Sequence, residues 1–388
     1  MENNQGIDSL KNLKHIVIFL VILNIVLISL FLASWLTHSR FSHYETASYI
    51  FHRVDLTYYC IDGNTGSEAF SSTNISAIIN TAIDSLLTNG GKLYFRAGFY
   101  DFTAPIVIDR PNIHIEGEGS KAVEFRAASP NLTDKYLVKI YSPSKRYYTE
   151  TIGIKNLLFF NPHWQDYNLT GAIYVNNACN ITWFLTIENV DFLQLNAFFT
   201  DDLISRPNIL QHSTFRNWNV YFPVDYAIKL TGVIDLTMDN IFIYFQNWTE
   251  GTHGIYLNAT QSSGVTMQAI RIYNADRGIH LIQSDDTRII NSIVDFAGIG
   301  VTINESSRVS ITNVYSHAPK NTGYGFLITE SASNNTGLMS CQAVNCNVGF
   351  KDDSAQQFIQ SFIGCNAHGS EVKFNIKPED ITQGNLGD

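Results

Sequence analysis

A short pattern of apolar and polar positions recurs between Gly254 and Phe374. Each copy consists of a glycine, an apolar residue, a residue expected to face outward and a second apolar residue. The copies are Gly254-Ile255-Tyr256-Leu257, Gly278-Ile279-His280-Leu281, Gly300-Val301-Thr302-Ile303, Gly325-Phe326-Leu327-Ile328 and the shorter Gly349-Phe350-Lys351, preceded by Ala227-Ile228-Lys229-Leu230. Successive copies begin 27, 24, 22, 25 and 24 residues apart. A fixed period in this range indicates a solenoid built of repeated units.

A second pattern keeps the same spacing. An alternating apolar strand ends at one small, mostly polar residue, and a new apolar strand begins directly after it. The residues at this position are Asn156, Asn189, Asn217, Asn240, Ala269, Asn291, Asn313, Cys341 and Ser361. The two patterns together predict three short strands per unit, with a one-residue corner between the second and the third. Asn suits such a corner because it tolerates the left-handed region, and stacked units would align the Asn amides in a ladder.

These units predict an all-β fold, a parallel β-helix with coils about 4.8 Å apart, because one unit cannot bury its apolar side alone. A helical solenoid is disfavoured, since strands of four or five residues rich in Val, Ile, Thr and aromatic residues are poor helices. One amphipathic helix is predicted ahead of the coils, from Ser76 to Leu87, ending at Asn89-Gly90-Gly91. This helix is expected to cap the first coil.

The N-terminal region predicts a membrane anchor. Residues 16–37 contain no charged side chain, and these 22 residues match the roughly 20 needed to cross a bilayer as a helix. A cleaved signal peptide is the alternative, although its apolar region would be shorter, about 7–15 residues. We expect a cytoplasmic N-terminus at 1–15, a transmembrane signal anchor at 16–37, a stalk at 38–72, the β-helix domain at 73–375 and a C-terminal tail at 376–388. The protein would be a single-pass protein of the cell membrane with its bulk outside the cytoplasm.

Eight Asn-x-Ser/Thr sequons follow the predicted span, and their use would agree with an extracytoplasmic glycoprotein. The alternative is that a composition rich in Asn, Ser and Thr produces these triplets by chance. The candidate glycosylation sites are Asn74, Asn131, Asn168, Asn180, Asn247, Asn258, Asn304 and Asn334.

The start of the predicted domain resembles a known family. A capping helix followed by GGKLYFRAGFYDFTAPIVI and then by NIHIEGEG, at residues 90–108 and 112–119, is similar to the opening of the pectate-lyase superfamily of right-handed parallel β-helices. The resemblance covers roughly residues 73–375. It implies right-handed winding, in line with the general handedness of β-crossovers, and a protein that engages polysaccharide. Since tailspikes of this superfamily are trimers, it also leaves a homo-oligomer open.

The residue between the two apolar residues of each Gly-led copy should face outward. Collected over the coils, these residues form a row of Tyr174, Lys229, Tyr256, His280, Thr302, Leu327 and Lys351. Aromatic and basic side chains in one row would form a shallow groove for a sugar chain, including an acidic one, because Tyr offers an apolar face and a hydroxyl. We predict substrate-binding residues at Tyr174, Lys229, Tyr256, His280 and Lys351. An ordinary solvated sheet face is the alternative.

Four residues just before these strands are candidate catalytic residues: Asp225, His253, Asp276 and Arg277. Asp225 and Asp276 occupy equivalent positions two coils apart, which predicts carboxylates roughly 9–10 Å apart. Inverting glycosidases hold an acid and a base at about this separation. His253 could relay a proton, and Arg277 could hold a sugar carboxylate. Alternatively, Asp276-Arg277 is a turn with a surface ion pair.

The resemblance does not extend to the catalytic motifs. Polygalacturonase-like members carry Asn-Thr-Asp, Gly-Asp-Asp, Gly-His-Gly and Arg-Ile-Lys in that order. The nearest matches here are Asp201-Asp202, Thr252-His253-Gly254 and Arg271-Ile272-Tyr273, and their spacing does not suit successive coils. The tandem acids at Asp201-Asp202, Asp285-Asp286 and Asp352-Asp353 could bind calcium through oxygen, although solvated turns are the simpler interpretation. We therefore expect no metal site and no cofactor, with calcium as the alternative.

The charge of the chain narrows its partners. A net charge of −10, with only 15% charged residues, argues against nucleic acid. We predict a membrane-anchored, extracytoplasmic β-helix protein that binds polysaccharide in surface recognition or adhesion. The alternative is an enzyme, either a polygalacturonase-like glycoside hydrolase acting on an acidic polysaccharide or a calcium-dependent polysaccharide lyase.

Overall fold

The computed structural model describes residues 47–87, 89–128, 135–141, 149–162, 171–176, 182–200, 210–262, 264–318, 323–329, 335–355 and 360–385. The described residues from Ser48 onward belong to one compact unit. None of the helices in this part of the chain is long and apolar enough to cross a membrane. The predicted cytoplasmic segment 1–15 and the predicted span 16–37 lie outside the described residues.

Short strands make up almost all of the described chain. The first elements are β1 (Tyr49–Val54), β2 (Thr57–Asp62), β3 (Glu68–Ser72), α1 (Ile75–Ser85), β4 (Gly91–Phe95), β5 (Gly98–Phe102), β6 (Ile106–Ile108), β7 (Ile113–Gly117), β8 (Val123–Ala127), β9 (Tyr136–Tyr141), β10 (Thr149–Glu150), β11 (Gly153–Phe160), β12 (Gly171–Asn176), β13 (Thr182–Trp183), β14 (Thr186–Leu193), β15 (Phe198–Thr200), β16 (Leu210–Gln211), β17 (Thr214–Tyr221), β18 (Tyr226–Thr231), β19 (Val233–Ile234) and β20 (Thr237–Tyr244). The remaining strands are β21 (His253–Ser262), β22 (Thr266–Gln268), β23 (Arg271–Tyr273), β24 (Arg277–Ser284), β25 (Arg288–Ile290), β26 (Ile293–Asp295), β27 (Ile299–Asn304), β28 (Ser310–Thr312), β29 (Tyr315–His317), β30 (Tyr324–Ile328), β31 (Gly337–Met339), β32 (Gln342–Val344), β33 (Val348–Asp352), β34 (Ser361–Ile363), β35 (Asn366–His368), β36 (Val372–Asn375) and β37 (Ile381–Gln383).

The strands wind into a right-handed parallel β-solenoid, the fold class that the sequence predicted. One face, here called sheet 1, consists of the eleven parallel strands β6, β9, β12, β15, β18, β21, β24, β27, β30, β33 and β36. The strands before each corner form sheet 2, which includes β22, β25, β28, β31 and β34. The strands after each corner form sheet 3, which includes β23, β26, β29, β32 and β35. A short fourth sheet of β10, β13, β16 and β19, not predicted, widens the N-terminal half.

The corner between sheets 2 and 3 is the left-handed residue that the sequence predicted. The backbone φ is +56° at Asn217, +53° at Asn240 and +53° at Ala269. The side-chain amide of Asn217 donates to Asn189 at 2.9 Å and that of Asn240 donates to Asn217 at 2.8 Å, so the predicted ladder forms. The prediction was wrong by a few residues in the last two turns. The left-handed residues there are Ser340 and Gly364, instead of Cys341 and Ser361.

The recurring glycine marks the point where sheet 1 approaches both the next turn and sheet 3. A Cβ on Gly278 would lie 2.2 Å from Val294 of β26 and 2.6 Å from the backbone oxygen of Gly300. At Gly254 the same clashes would occur with Ile272 and with the oxygen of Gly278. The glycines at this position are therefore selected by close packing, because none of them has a left-handed φ.

Aromatic side chains fill the N-terminal half of the core. Phe95, Phe125, Phe159, Phe192 and Trp218 follow one another along the solenoid, with neighbouring ring centroids 4.8–5.7 Å apart. All five are fully buried, and the Trp218 indole N–H donates to the backbone oxygen of Ile187 at 2.9 Å. Each turn thus covers the rings of the turn before it, which is why the fold needs many units.

The N-terminal end is covered by the predicted helix and by an unpredicted meander. Helix α1 starts at the N-cap Asn74 and contacts β3, β5 and β6. We predicted a stalk at 38–72, but its described part, 47–72, forms the antiparallel strands β1 to β3, and β1 pairs in parallel with β4. The predicted C-terminal tail at 376–388 also contributes a strand, since β37 pairs with β34.

Candidate functional site

The predicted outward row runs along sheet 1 in continuous register. Lys229 pairs with Tyr256, Tyr256 with His280, and His280 with Thr302. The row continues through Leu327 to Lys351, so the five predicted substrate-binding residues lie in one line. Between Tyr174 and Lys229 the structure inserts Phe199 of β15, which the sequence analysis missed. The sequence Ala197-Phe198-Phe199-Thr200 is a further copy of the repeat in which Ala197 replaces the glycine, and this copy could have identified Phe199.

A second row lies three residues earlier in the same strands. Tyr226 pairs with His253, and His253 pairs with Arg277. His253 and Arg277 were predicted on adjacent turns, and the register agrees. Tyr226 was not predicted as a site residue, because it precedes Ala227, where the copy has no glycine.

The two rows meet in what we name the aromatic–basic cluster, formed by Tyr226, Lys229, His253, Tyr256, Arg277 and His280. The rings of Tyr226, His253 and His280 stack almost in parallel, with centroids 4.8 and 5.3 Å apart. The Tyr256 ring meets all three nearly edge-on, with centroids 5.4 Å away in each case. Edge-to-face contacts of this kind stabilise ring pairs and fix their orientation.

Two cations border the stacked rings. Lys229 Nζ lies 5.2 Å from the ring centroid of Tyr226 and 5.9 Å from that of Tyr256. Arg277 Nη1 lies 3.5 Å from Nδ1 and 3.4 Å from Nε2 of His280, so the guanidinium lies against the imidazole face. Both cations stay close to aromatic surface, where they favour an incoming anion.

The cluster holds both histidines neutral at pH 7. Burial, together with the positive charges of Arg277 and Lys229, lowers the pKa of His253 to about 4, although Asp276 acts in the opposite direction. Burial, then Arg277 and His253, lowers the pKa of His280 to about 3. His253 is only 8% exposed, and its Nδ1 has no hydrogen-bond partner among the described residues. A polar atom buried without a partner costs free energy, which a bound ligand can recover.

Asp225 and Asp276 directly precede the strands β18 and β24 of sheet 1, beside the cluster. Asp225, Thr252 and Asp276 occupy equivalent positions on successive turns. The His253 backbone amide donates to the backbone oxygen of Asp225, and the Arg277 backbone amide donates to the backbone oxygen of Thr252. Asp225 is exposed, and Asp276 Oδ2 accepts from the Gly251 amide at 3.0 Å. The backbones of Asp225 and Asp276 are two turns apart, which corresponds to roughly 9–10 Å. The four predicted catalytic residues therefore share one edge, while their roles stay a prediction.

The two ends of the predicted row lie outside the cluster. The Tyr174 ring stacks on Tyr136 of the preceding turn, with centroids 4.4 Å apart. Lys351 pairs with Asp353 at 2.5 Å and lies 5.3 Å from the Tyr324 ring centroid. Tyr174 lies three turns from His253, and Lys351 lies three turns from His280, so both belong to the row but not to the cluster.

One tandem pair of acids, Asp285 and Asp286, contacts residues of the next turn. Asp285 Oδ1 accepts from the Ser307 amide and hydroxyl, and Asp286 pairs with Arg308 at 2.6 Å. In the described part of the chain, no group of three or more His, Cys, Asp or Glu side chains is arranged to hold a metal. Asp201-Asp202 lies outside the described residues, as do the sequons at Asn131, Asn168, Asn180 and Asn334.

Of the described sequons, Asn247 is exposed in the loop between β20 and β21, and Asn74 is the N-cap of α1. Asn258 and Asn304 are partly buried at pairing positions of β21 and β27. Asn304 Oδ1 also accepts from the Thr329 hydroxyl at 2.8 Å. Asn74 and Asn247 are therefore the two exposed sites of the four, and the Asn74 side chain already accepts the Ala77 amide of the helix cap.

Solved structures with the same fold carry sequences that are only distantly similar. The A-module of the mannuronan C-5 epimerase AlgE4 from Azotobacter vinelandii has a TM-score of 0.62 and 13% identity, covering 81% of this chain and 91% of that chain. The AlgE6 A-module from the same organism has a TM-score of 0.56 and 13% identity, covering 81% and 95%.

A catalytic domain of a GH87 α-1,3-glucanase, solved with tetrasaccharides, has a TM-score of 0.53 and 13% identity, covering 80% of this chain and 67% of that chain. No protein-family profile and no curated protein sequence matches the chain. At 13% identity the structural similarity is evidence for the fold alone. The chain therefore has the pectate-lyase-like parallel β-helix fold that its opening sequence resembles.

Proposed function

We propose that the chain binds an acidic polysaccharide along the outward face of sheet 1, centred on the aromatic–basic cluster. The observation that carries the proposal is the convergence of Lys229 and Arg277 on a platform of Tyr and His rings. Aromatic faces suit the apolar C–H faces of sugars, and the two cations suit the carboxylates of uronic acids. Mannuronan and α-1,3-glucan, named for the similar structures, are polysaccharides too.

The test is equilibrium binding of the purified full chain to polygalacturonate and polymannuronate, with dextran as the uncharged comparison. Arg277→Gln and Lys229→Gln should each weaken polyuronate binding about tenfold, as expected for loss of one hydrogen bond to a charged group. Lys155→Gln is the matched control, because Lys155 pairs with Glu188 on sheet 2. Binding should weaken with salt. Equal binding of dextran and polyuronates, or unchanged binding by both variants, would overturn the proposal.

A glycoside hydrolase is the second candidate, because Asp225 and Asp276 stand in register two turns apart at the edge of the cluster. Such a spacing leaves room for a water between an acid and a base. The same incubations, assayed for new reducing ends, test this candidate. Release that disappears in Asp225→Asn and Asp276→Asn would establish hydrolysis. New ultraviolet absorbance from unsaturated ends, abolished by a chelator, would instead favour the calcium-dependent lyase.

The cellular setting is part of the proposal. The uncharged segment 16–37 would anchor the chain in the cell membrane, and the sequons would place the solenoid outside the cytoplasm. Membrane fractionation of cells expressing the full chain tests the anchor, which should resist alkaline extraction. Loss of a glycosidase-sensitive mass in Asn247→Gln tests the side of the membrane. A chain found in the soluble fraction would contradict this setting.

A further inference from the structure

The loop between β20 and β21 is fastened to the edge of sheet 1. Thr252 is the central link, since its hydroxyl donates to the Thr249 backbone oxygen at 2.7 Å and accepts from the Asp276 amide at 2.9 Å. The Gly251 amide donates to the Asp276 carboxylate at 3.0 Å. The preceding residue Phe245 is buried in the core. Both ends of residues 246–251 are therefore held, and the loop has a defined position beside the aromatic–basic cluster.

This loop presents one large aromatic side chain to solvent. Trp248 is 51% exposed, whereas Trp218 is fully buried in the core. The edge of the indole that carries Nε1 reaches Gly298, because a Cβ built on Gly298 would be 3.3 Å from Trp248 Nε1. The same Cβ would be 2.7 Å from Asp276 Oδ1. The missing side chain at Gly298 thus leaves the room in which the indole and the carboxylate come together.

We propose that Trp248 is the floor of a pyranose-binding subsite, one turn further along the solenoid than Arg277. The inference rests on the proposed polysaccharide binding and adds a subsite to it. Gly298 directly precedes Ile299, and Ile299 pairs with Arg277, so the subsite adjoins the cluster. The indole offers its apolar face to the C–H face of a sugar ring.

The neighbouring acid fixes how the sugar lies. The Asp276 carboxylate only accepts hydrogen bonds when ionised, so it favours a sugar hydroxyl and repels a uronate carboxylate. The sugar on Trp248 would therefore point a hydroxyl toward Asp276. Its own carboxylate would point away, and the carboxylate of the next unit would reach Arg277. The subsite accordingly favours a pyranose that turns a hydroxyl, and not its carboxylate, toward Asp276.

A purely structural role makes a different prediction. Since half of the Trp248 surface is exposed, truncating the indole removes only about half of the area that a fully buried indole would lose, and the melting temperature should stay within a few degrees of wild type. Ligand binding, in contrast, should lose a stacking contact. The two readouts can be measured on the same variants.

The experiment compares the full chain with Trp248→Ala, Trp248→Phe and the control Phe184→Ala. Phe184 is 50% exposed and lies beside the short fourth sheet. Polygalacturonate and polymannuronate are the probes, with calorimetry for affinity and tryptophan fluorescence for contact. Trp248→Ala should weaken binding about fivefold to tenfold, Trp248→Phe should weaken it less, and Phe184→Ala should leave it unchanged.

The fluorescence arm isolates the contact itself. Polyuronate should change the tryptophan emission of the wild type, and that change should be absent in Trp248→Phe while calorimetry still detects binding. Wild-type affinity in Trp248→Ala, or an emission change that persists in Trp248→Phe, overturns the subsite alone. Absence of binding by the wild-type chain overturns the proposed function, and the subsite with it.

Discussion

At the scale of single residues, the two histidines of the aromatic–basic cluster are uncharged and stacked between other rings. His253 and His280 lie 8% and 6% exposed between rings and cations, and both stay neutral far below the pH at which a free imidazole gains its proton. A neutral imidazole can accept a hydrogen bond and stack on a sugar or a ring without repelling Arg277. The positive charge of the cluster is therefore carried by Lys229 and Arg277 and not by the imidazoles.

The depressed histidine pKa values predict an acid-sensitive fold. An unfolded His gains its proton near pH 6.5, whereas His253 does so near 4 and His280 near 3. Between those values the unfolded state binds more protons, so the stabilisation is complete above about pH 6.5 and is lost as the pH falls. Urea unfolding should show a falling free energy of unfolding from pH 7 to 4. The replacements His253→Asn and His280→Asn should reduce that slope.

The same reasoning gives a test of Arg277. Removing its charge in Arg277→Gln should raise the pKa of His253 and of His280, since Arg277 follows burial among the causes that lower them. The imidazole proton shifts in an NMR titration report this directly, and Lys155→Gln should leave them unchanged. If His253 and His280 titrate near pH 6.5 in the folded wild type, their rings are not buried as described.

At the scale of the repeated element, the corner residue and the recurring glycine do different work. Asn at the corner supplies the left-handed backbone and a side-chain amide that donates to the Asn of the preceding turn. Glycine at the start of the sheet 1 strand supplies clearance from the next turn and from sheet 3. The first is a conformational preference and the second is a packing limit, so their replacement should behave differently.

The corner ladder predicts opposite effects at two positions. Asn217→Ala loses the amide bonds to Asn189 and Asn240 and keeps a strained left-handed backbone, which should destabilise the fold by about 1–3 kcal/mol. Ala269→Asn fills the gap in the ladder and should stabilise it by about 1 kcal/mol. Chemical denaturation measures both. Equal effects of the same sign would be incompatible with a ladder.

The glycine repeat predicts a steep cost for a single methyl group. Gly278→Ala places a Cβ against Val294 and the Gly300 oxygen, so it should destabilise the fold by about 1–3 kcal/mol. Gly119→Ala is the matched control, because the nearest atom to its Cβ, in Ala122, is 3.7 Å away. A Gly278→Ala protein as stable as the control would mean that glycine is not required for the contact between sheets.

At the scale of the whole molecule, repetition decided what could be predicted from sequence. The period of the Gly-led copies fixes the register, so the row from Lys229 to Lys351 could be placed without coordinates, whereas Phe199 was missed between Tyr174 and Lys229. The corners were displaced only where Ser340 and Gly364 replace Asn. The meander of β1 to β3 could not be predicted, because it has no repeat and its pairing with β4 is a tertiary contact.

The site was predictable as a set of residues but not as an environment. Alternation and register bring Lys229, Tyr256 and His280 into line. Neither reveals that Tyr226 closes the stack over His253, nor that Gly298 makes room for Trp248. Those features depend on side-chain rotamers and on loop positions, which alternation and register do not determine.

The most direct test of the central claim is a structure of the full chain with a bound uronic-acid oligosaccharide. The account predicts sugar along the outward row of sheet 1, over Lys229, Tyr256 and His280, with a carboxylate at Arg277. Sugar bound to sheet 2 or sheet 3 instead, or sheet 1 left bare at saturating oligosaccharide, would contradict it.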